Sequence, residues 1–265
     1  MPVPVLVLVP AQWLAHPSGP CHTGAPGMAE RGSVMRCDGD GRGPALTPPT
    51  RITRLRELQV TDRAALDSLL DGARVAHIGF DVEGHPVVLP TALARTGDSV
   101  VVHGSTGSRW MRRAAQGVPA CLTVTVVDGL LVARSAFESS IHYRSAVLFG
   151  AFTPLEGAEK GAALDALVEH LVPGRGREVR PSTAGELRRT MVLSMPIERW
   201  SLKVSDGWPE DGEEDVAGDA WAGVVPLREV AGAPRPAPDL RPGIPVPPSV
   251  AGLGASKPEG MPGGG

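Results

Sequence analysis

Two short stretches concentrate the side chains that could do chemistry: His103-Gly104-Ser105-Thr106-Gly107-Ser108-Arg109 and His142-Tyr143-Arg144-Ser145. The first has the makings of an anion cradle. A phosphate needs several donors and a positive charge, and an arginine supplies both in a fixed fork. Gly104 and Gly107 permit close backbone approach, and a helix starting after Ser108 would turn its positive end toward an anion. A solvated Ser/Gly loop with a surface arginine has the same composition, so the spacing alone leaves both readings open. The second stretch is flanked by apolar runs that could bury it. Unpaired buried polar groups are costly, so this cluster suggests a polar ligand held at the end of a sheet. An ordinary surface pair between Glu138 and Arg144 is the competing reading. His103 ends a strand just before the loop, where an imidazole could carry a proton near neutral pH; a strand-end histidine bonded to backbone is the alternative. His77 and His85 read as structural. No carboxylate or cysteine joins these histidines at ligand spacing, which argues against a metal site. No Gly-x-Gly-x-x-Gly follows a strand, which argues against a dinucleotide fold of that type.

Positioning these residues requires a sheet. Thr61-Asp62 reads as a helix start, with Thr61 as the cap; Leu66, Leu69 and Leu70 give one apolar face and Gly72 marks the stop. The period then changes. Strands are expected over Ala73 to Phe80, Pro86 to Ala94 and Ser99 to His103, separated by Asp81-Val82-Glu83-Gly84 and Thr96-Gly97-Asp98. Short strands with turn signals at this spacing indicate an antiparallel sheet or barrel. A short helix is expected within Ser105 to Gln116. Ala120 to Val127 and Leu130 to Phe137 read as a hairpin closed by Asp128-Gly129. His142 to Ser145 then forms a polar corner, and Ser145 to Thr153 the next strand. Glu159 to Leu171 is amphipathic, with Leu164, Leu167, Val168 and Leu171 on one side. A shorter helix is expected at Ala184 to Arg188, and one strand from Thr190 to Val204. About six strands with flanking helices result, and closure into a barrel would protect their edges.

Composition bounds the rest. The chain has 265 residues, 42% hydrophobic and 21% charged, which suits a globular core. Gly and Pro crowd into the two ends, so one domain of about 150 residues is expected at 50–205, between poorly ordered extensions at 1–49 and 206–265. The run Trp221-Ala222-Gly223-Val224-Val225-Pro226-Leu227 hints at ordered contact within the second extension, with Trp221 packing on the barrel or on a partner subunit. A net charge of -3 excludes a basic nucleic-acid footprint. Three cysteines, Cys21, Cys37 and Cys121, form no disulfide framework or metal spacing, and a reducing cytoplasm fits. Val3 to Val9 lacks the positive flank of an export signal and is too short to span a bilayer; it reads as a leader without structural role, with a weak export signal as the alternative.

In their order and gaps, three segments resemble the FMN-binding split-barrel family, which includes pyridoxamine 5′-phosphate oxidase and nitroimidazole reductases. They are Val87-Val88-Leu89-Pro90-Thr91, Val101 to Arg109, and His142 to Gly150. The resemblance covers roughly Arg54 to Lys203. It implies an antiparallel split β-barrel with flanking helices, a homodimer, and FMN at the subunit interface. By resemblance, Pro90 and Thr91 lie along the flavin, His103 and Gly104 border it, and Ser105, Ser108 and Arg109 hold its phosphate. Arg144 and Ser145 would reach the polar edge of the ring, and His103 would be the catalytic residue. Trp110 stands where the family often has a second basic residue. The implied function is flavin-dependent oxidation or reduction of a small organic molecule. The alternative is a non-catalytic carrier of flavin, haem or deazaflavin. The paired Arg and His that bind pyridoxamine phosphate in the oxidase are not visible here.

Overall fold

The computed structural model describes residues 50–254, and the leader reading and the first two cysteines lie outside them. Ten strands form one antiparallel sheet. They are β1 (Gln59–Val60), β2 (Val75–Val82), β3 (His85–Thr96), β4 (Ser99–Ser105), β5 (Pro119–Val132), β6 (Ser140–Ala151), β7 (Thr153–Pro154), β8 (Thr190–Pro196), β9 (Arg199–Ser205) and β10 (Gly223–Pro226). Their spatial order is β1-β9-β6-β5-β2-β3-β4-β8-β7, with β10 added to β5. The main helices are α1 (Arg63–Gly72), α2 (Arg109–Ala114), α3 (Gly157–Leu171) and α4 (Ala184–Arg189), followed by the short α5 (Glu213–Val216) and α6 (Pro248–Leu253).

Helix α1 plugs the barrel. Its cap is Asp62, not Thr61: the Asp62 carboxylate accepts from the Ala64 amide at 3.1 Å. Leu66, Leu69 and Leu70 are buried against Ile78, Leu93, Val102, Leu122, Leu148, Leu193 and Leu202, one inward position after another along the strands. Burying each such side chain contributes about 1.5–3 kcal/mol. The barrel draws together where Gly150 of β6 meets β8: a Cβ there would stand 3.2 Å from Met195 Cγ. A second, smaller core lies outside the barrel, where Ala163 and Leu167 of α3 cover Ala94, Val101 and Val192.

The expected Asp128-Gly129 hairpin does not form. β5 runs straight through the pair, and the register with β6 slips by one residue between Val127 and Gly129, a β-bulge. The chain reverses later, over residues 133–139. Both sides of the bulge are occupied: Gly129 pairs with His142 on β6 and Pro226 on β10, and the Leu227 amide donates to the Asp128 carbonyl at 2.9 Å. The polar corner is therefore the interior of β6. The expected single strand over Thr190 to Val204 is two, β8 and β9, which run in different parts of the sheet.

After β9 the chain is pinned across the barrel. The His142 ring nitrogen Nε2 lies 2.8 Å from the Gly207 carbonyl, and the fully buried Asp211 carboxylate accepts from the Arg134 amide and guanidinium at 2.8 and 3.0 Å. At the far end, the Ser249 amide and hydroxyl donate to Glu178. Trp221 is 65% exposed, with its ring laid over Gly223.

Candidate functional site

The sheet divides at one place. β3 pairs with β2 from Val75↔Ala92 to Val82↔His85, but with β4 only over Leu93↔Val102 to Thr96↔Ser99. β4 continues beside β8 through His103↔Val192, Gly104↔Met191 and Ser105↔Thr190. The two strands thus part after Leu93 and Val102. One lip of the fork is Pro90 and Thr91; the other is His103, Gly104 and Ser105. Pro90 lacks an amide hydrogen, which suits a strand edge with no partner to bond. Thr91 is buried, and its hydroxyl donates to the Ala92 carbonyl at 3.2 Å.

The loop after β4 is braced from within. Thr106 donates its amide and hydroxyl to the Arg189 carbonyl at 3.0 and 3.3 Å, tying the loop to the end of α4. The Gly107 amide donates to Ser105 Oγ at 3.1 Å, and the Ser108 amide to the Ser105 carbonyl at 3.0 Å. Arg112 reaches back to the Gly107 carbonyl at 3.4 Å, and Arg113 bonds Gln116. Three successive amides are therefore already bonded, one to α4 and two within the loop, so the loop does not present them to an anion. The side-chain groups of the loop left without a protein partner are the Ser108 hydroxyl and the Arg109 guanidinium, and the Ser105 hydroxyl keeps its hydrogen free. Gly104 serves packing instead: a Cβ there would stand 2.9 Å from Met111 Cγ, so its absence lets α2 seat on β4.

His103 is the first residue of β4 beyond the last β3–β4 pair. Its Nδ1 is enclosed yet has no hydrogen-bond partner, the one such side-chain atom among the described residues. Burial pushes its pKa below the ordinary histidine value. The ring is therefore neutral near pH 7 and able to accept a proton or donate a lone pair to a metal. An orphaned imidazole nitrogen at the fork, followed in the chain by an unpaired guanidinium and free hydroxyls, fits a bound group that brings its own polar edge and negative charge.

Arg144 and Ser145 are not brought to this fork by the chain's own strand order, in which β5 and β2 stand between β6 and β3. As neighbours on a strand they also point to opposite faces. Arg144 donates from Nε and Nη2 to the Asp128 carboxylate at 2.9 and 2.8 Å. That ion pair crosses the bulge, and Glu138 takes no part in it. Ser145 Oγ bonds Thr125 Oγ1 at 2.9 Å on the outer face, where Lys203 also covers the Tyr143 ring. Sequence reasoning passed over Asp128 as a turn residue; its pairing with Arg144 needs the cross-strand register. Among the described residues no group of three or more His, Cys, Asp or Glu could hold a metal ion, and no helix is long and apolar enough to cross a membrane.

Comparison with known proteins extends this picture. The chain is similar to the FAD and haem binding protein from Mycobacterium smegmatis, with 50% identity, a TM-score of 0.73, and coverage of 74% of this chain and 97% of that one. It is also similar to the flavocytochrome Anf3 from Azotobacter vinelandii, at 36% identity, a TM-score of 0.72, and coverage of 77% and 95%. None of the curated proteins matches. The family model described as pyridoxamine 5′-phosphate oxidase matches residues 62–204, which hold the barrel, the fork and the loop. With a family-model match over more than half its length, this chain belongs to the pyridoxamine 5′-phosphate oxidase family of split barrels.

Proposed function

We propose that this protein is a flavin- and haem-binding redox protein of the flavocytochrome kind. The observation that carries the reading is the 50% identity, over 97% of its length, to a protein described as binding FAD and haem. The fork supports it, because its lips offer what such cofactors need and what the fold itself leaves unused: a neutral imidazole, an unpaired guanidinium and two hydroxyls. Flavin and haem complement each other chemically, since a flavin takes two electrons and a haem iron passes one at a time.

The flavin's phosphate end belongs at Ser105, Ser108 and Arg109, with Pro90 and Thr91 along the opposite lip and His103 and Gly104 at the crotch. These groups suit FMN and FAD equally, since both carry the ribityl phosphate. FAD is our assignment in place of the FMN implied by the sequence resemblance, on the strength of the relative's description. A homodimer completes the proposal: within one chain Arg144 and Ser145 stand away from the fork, and only a second copy could bring such residues to it. Electrons would then pass to or from a small organic molecule in the cytoplasm, which makes the protein an oxidoreductase.

The test is the colour of the protein purified from cells supplied with a haem precursor. A flavin spectrum together with a Soret band is expected, with FAD released on denaturation and identified by chromatography. Release of FMN would overturn the FAD assignment. A colourless protein that gains neither band on adding FAD and haemin would overturn the reading as a whole.

A further inference from the structure

We propose that the acidic, tryptophan-bearing strap at residues 206–221 seats on an arginine face of a second copy of this chain, beside that copy's loop from Ser105 to Ser108; this rests on the homodimer of the reading above. The strap carries apolar surface that one chain does not use. Trp208 is 73% exposed and Trp221 65%. Phe137 is 91% exposed, in the turn that the strap holds through Asp211 and Arg134. All three lie about one end of β5. β10 pairs Gly223 with Val132, the last residue of that strand, and the His142 ring, opposite Gly129, anchors Gly207. Large apolar side chains exposed together mark an interaction surface. Tryptophan is among the side chains that carry most of the binding energy at such surfaces.

Charge identifies the occupant. No Lys or Arg lies between Lys203 and Arg228, a stretch that holds seven acidic residues from Asp206 to Asp219. Asp211 is committed to Arg134. The rest, Glu210, Glu213 and Glu214 among them, form no ion pair among the described residues. The opposite composition surrounds the loop. No Asp or Glu lies between Asp98 and Asp128, or between Glu186 and Glu198, and these two stretches supply the loop, α2 and the end of α4. Apart from Arg109, assigned above to the flavin phosphate, they carry Arg112, Arg113, Arg188 and Arg189, and none of these four forms an ion pair among the described residues. Arg112 reaches the Gly107 carbonyl, the Arg189 carbonyl holds Thr106, and Arg188 and Arg189 are exposed. The negative ends of α2 and α4 suit arginines, which accounts for their sign but not for the lack of any carboxylate in both stretches. Within one chain the two surfaces stay apart. α2 leads into β5 at Pro119, and the strap is fastened at Val132, so 14 residues of strand stand between them, about 45 Å at 3.3 Å per residue. A second copy supplies the matching face, and two-fold symmetry makes the contact twice. An anionic membrane would repel the strap. Tryptophans within an acidic surround have the anatomy of a protein contact, an apolar centre with a polar rim.

The experiment is sedimentation equilibrium of the full chain, with circular dichroism as the check on folding. Wild-type protein should be a dimer that weakens as salt is raised. Glu210→Lys, Glu213→Lys and Glu214→Lys together reverse the strap; Arg188→Glu and Arg189→Glu together reverse the face. Each reversal alone sets like charges against each other twice per dimer, so each should weaken dimerisation about a hundredfold or more while keeping the wild-type dichroism. Mixed together, the two reversed proteins should form a heterodimer as tight as wild type, because the positive strap then meets the negative face and the native strap meets the native face. Trp208→Ala should weaken the dimer about tenfold. The inference is overturned if either reversal or Trp208→Ala dimerises like wild type, or if the mixture stays as weak as its parts; the homodimer then stands on another face. Wild-type protein that sediments as a monomer overturns the homodimer and this contact with it, whereas flavin and haem binding stand or fall on colour alone.

Discussion

Gly104→Ala tests how the loop is held in place. Gly104 is enclosed between β4 and α2, and a Cβ there would stand 2.9 Å from Met111 Cγ, 3.1 Å from Sδ and 3.5 Å from Cε. Ordinary carbon–carbon contact lies near 3.5–4.0 Å, so Met111 must withdraw by more than half an ångström. Its side chain is fully buried in the barrel core, so its withdrawal must disturb packed neighbours. Overpacking of this kind costs about 1–3 kcal/mol. For a domain of this size each kcal/mol lowers the melting temperature by about 2–4 °C, so a fall of about 2–12 °C is expected. Met111→Ala alone should cost about 2–5 kcal/mol through the cavity it leaves. In the double variant the new methyl partly fills that cavity and its clash is gone, so the two costs should sum to more than the double variant shows. The assay is thermal and urea unfolding of all four proteins without cofactor, followed by FAD titration, since Ser105 and Arg109 flank this contact. A Gly104→Ala protein as stable as wild type, or a cycle whose costs simply add, would refute the packing argument.

Three further outcomes are expected. Arg109 has no protein partner in the fork, so Arg109→Ala should leave the melting temperature unchanged while costing about 1.5–3 kcal/mol of FAD affinity, the value of a hydrogen bond to a charged group; isothermal titration and unfolding together check both halves. Burial lowers the His103 pKa from its ordinary value of 6.5. The unfolded chain therefore binds the proton more readily, and this residue's contribution falls as pH drops below about 6.5 and levels off below the folded-state pKa. Urea midpoints of the cofactor-free protein between pH 8 and 5 should thus decline less in His103→Gln than in wild type. Asp211→Ala removes both acceptors from the Arg134 amide and guanidinium. It should raise hydrogen exchange across residues 206–232 while the barrel strands keep their protection.

Much of this architecture was legible from local pattern. Alternating apolar positions announced β2, β3 and β4, with ends displaced by only a few residues, and the helical period of Leu164, Leu167 and Leu171 announced α3. The loop from His103 to Arg109 could be singled out because it sets glycines, hydroxyls and an arginine at the end of a strand. Its workings could not. Gly107 and the amides around it read as an anion cradle, yet bonds to Arg189 and Ser105 take up those amides and leave the Ser108 and Arg109 side chains without protein partners. Asp128-Gly129 read as a hairpin because that dipeptide has a strong local turn preference. Pairing with β6, Arg144 and β10 outweighed that preference and made it a bulge.

Local preference is written in a few neighbouring residues, so strands, helices and the polar loop could be read from the chain alone. Where β3 leaves β4 is a matter of register between strands that meet only in space. That parting divides the sheet beside His103, the residue whose buried nitrogen has no partner. The residue types of the site therefore belong to the sequence, whereas their availability to a cofactor was decided by the way the sheet divides.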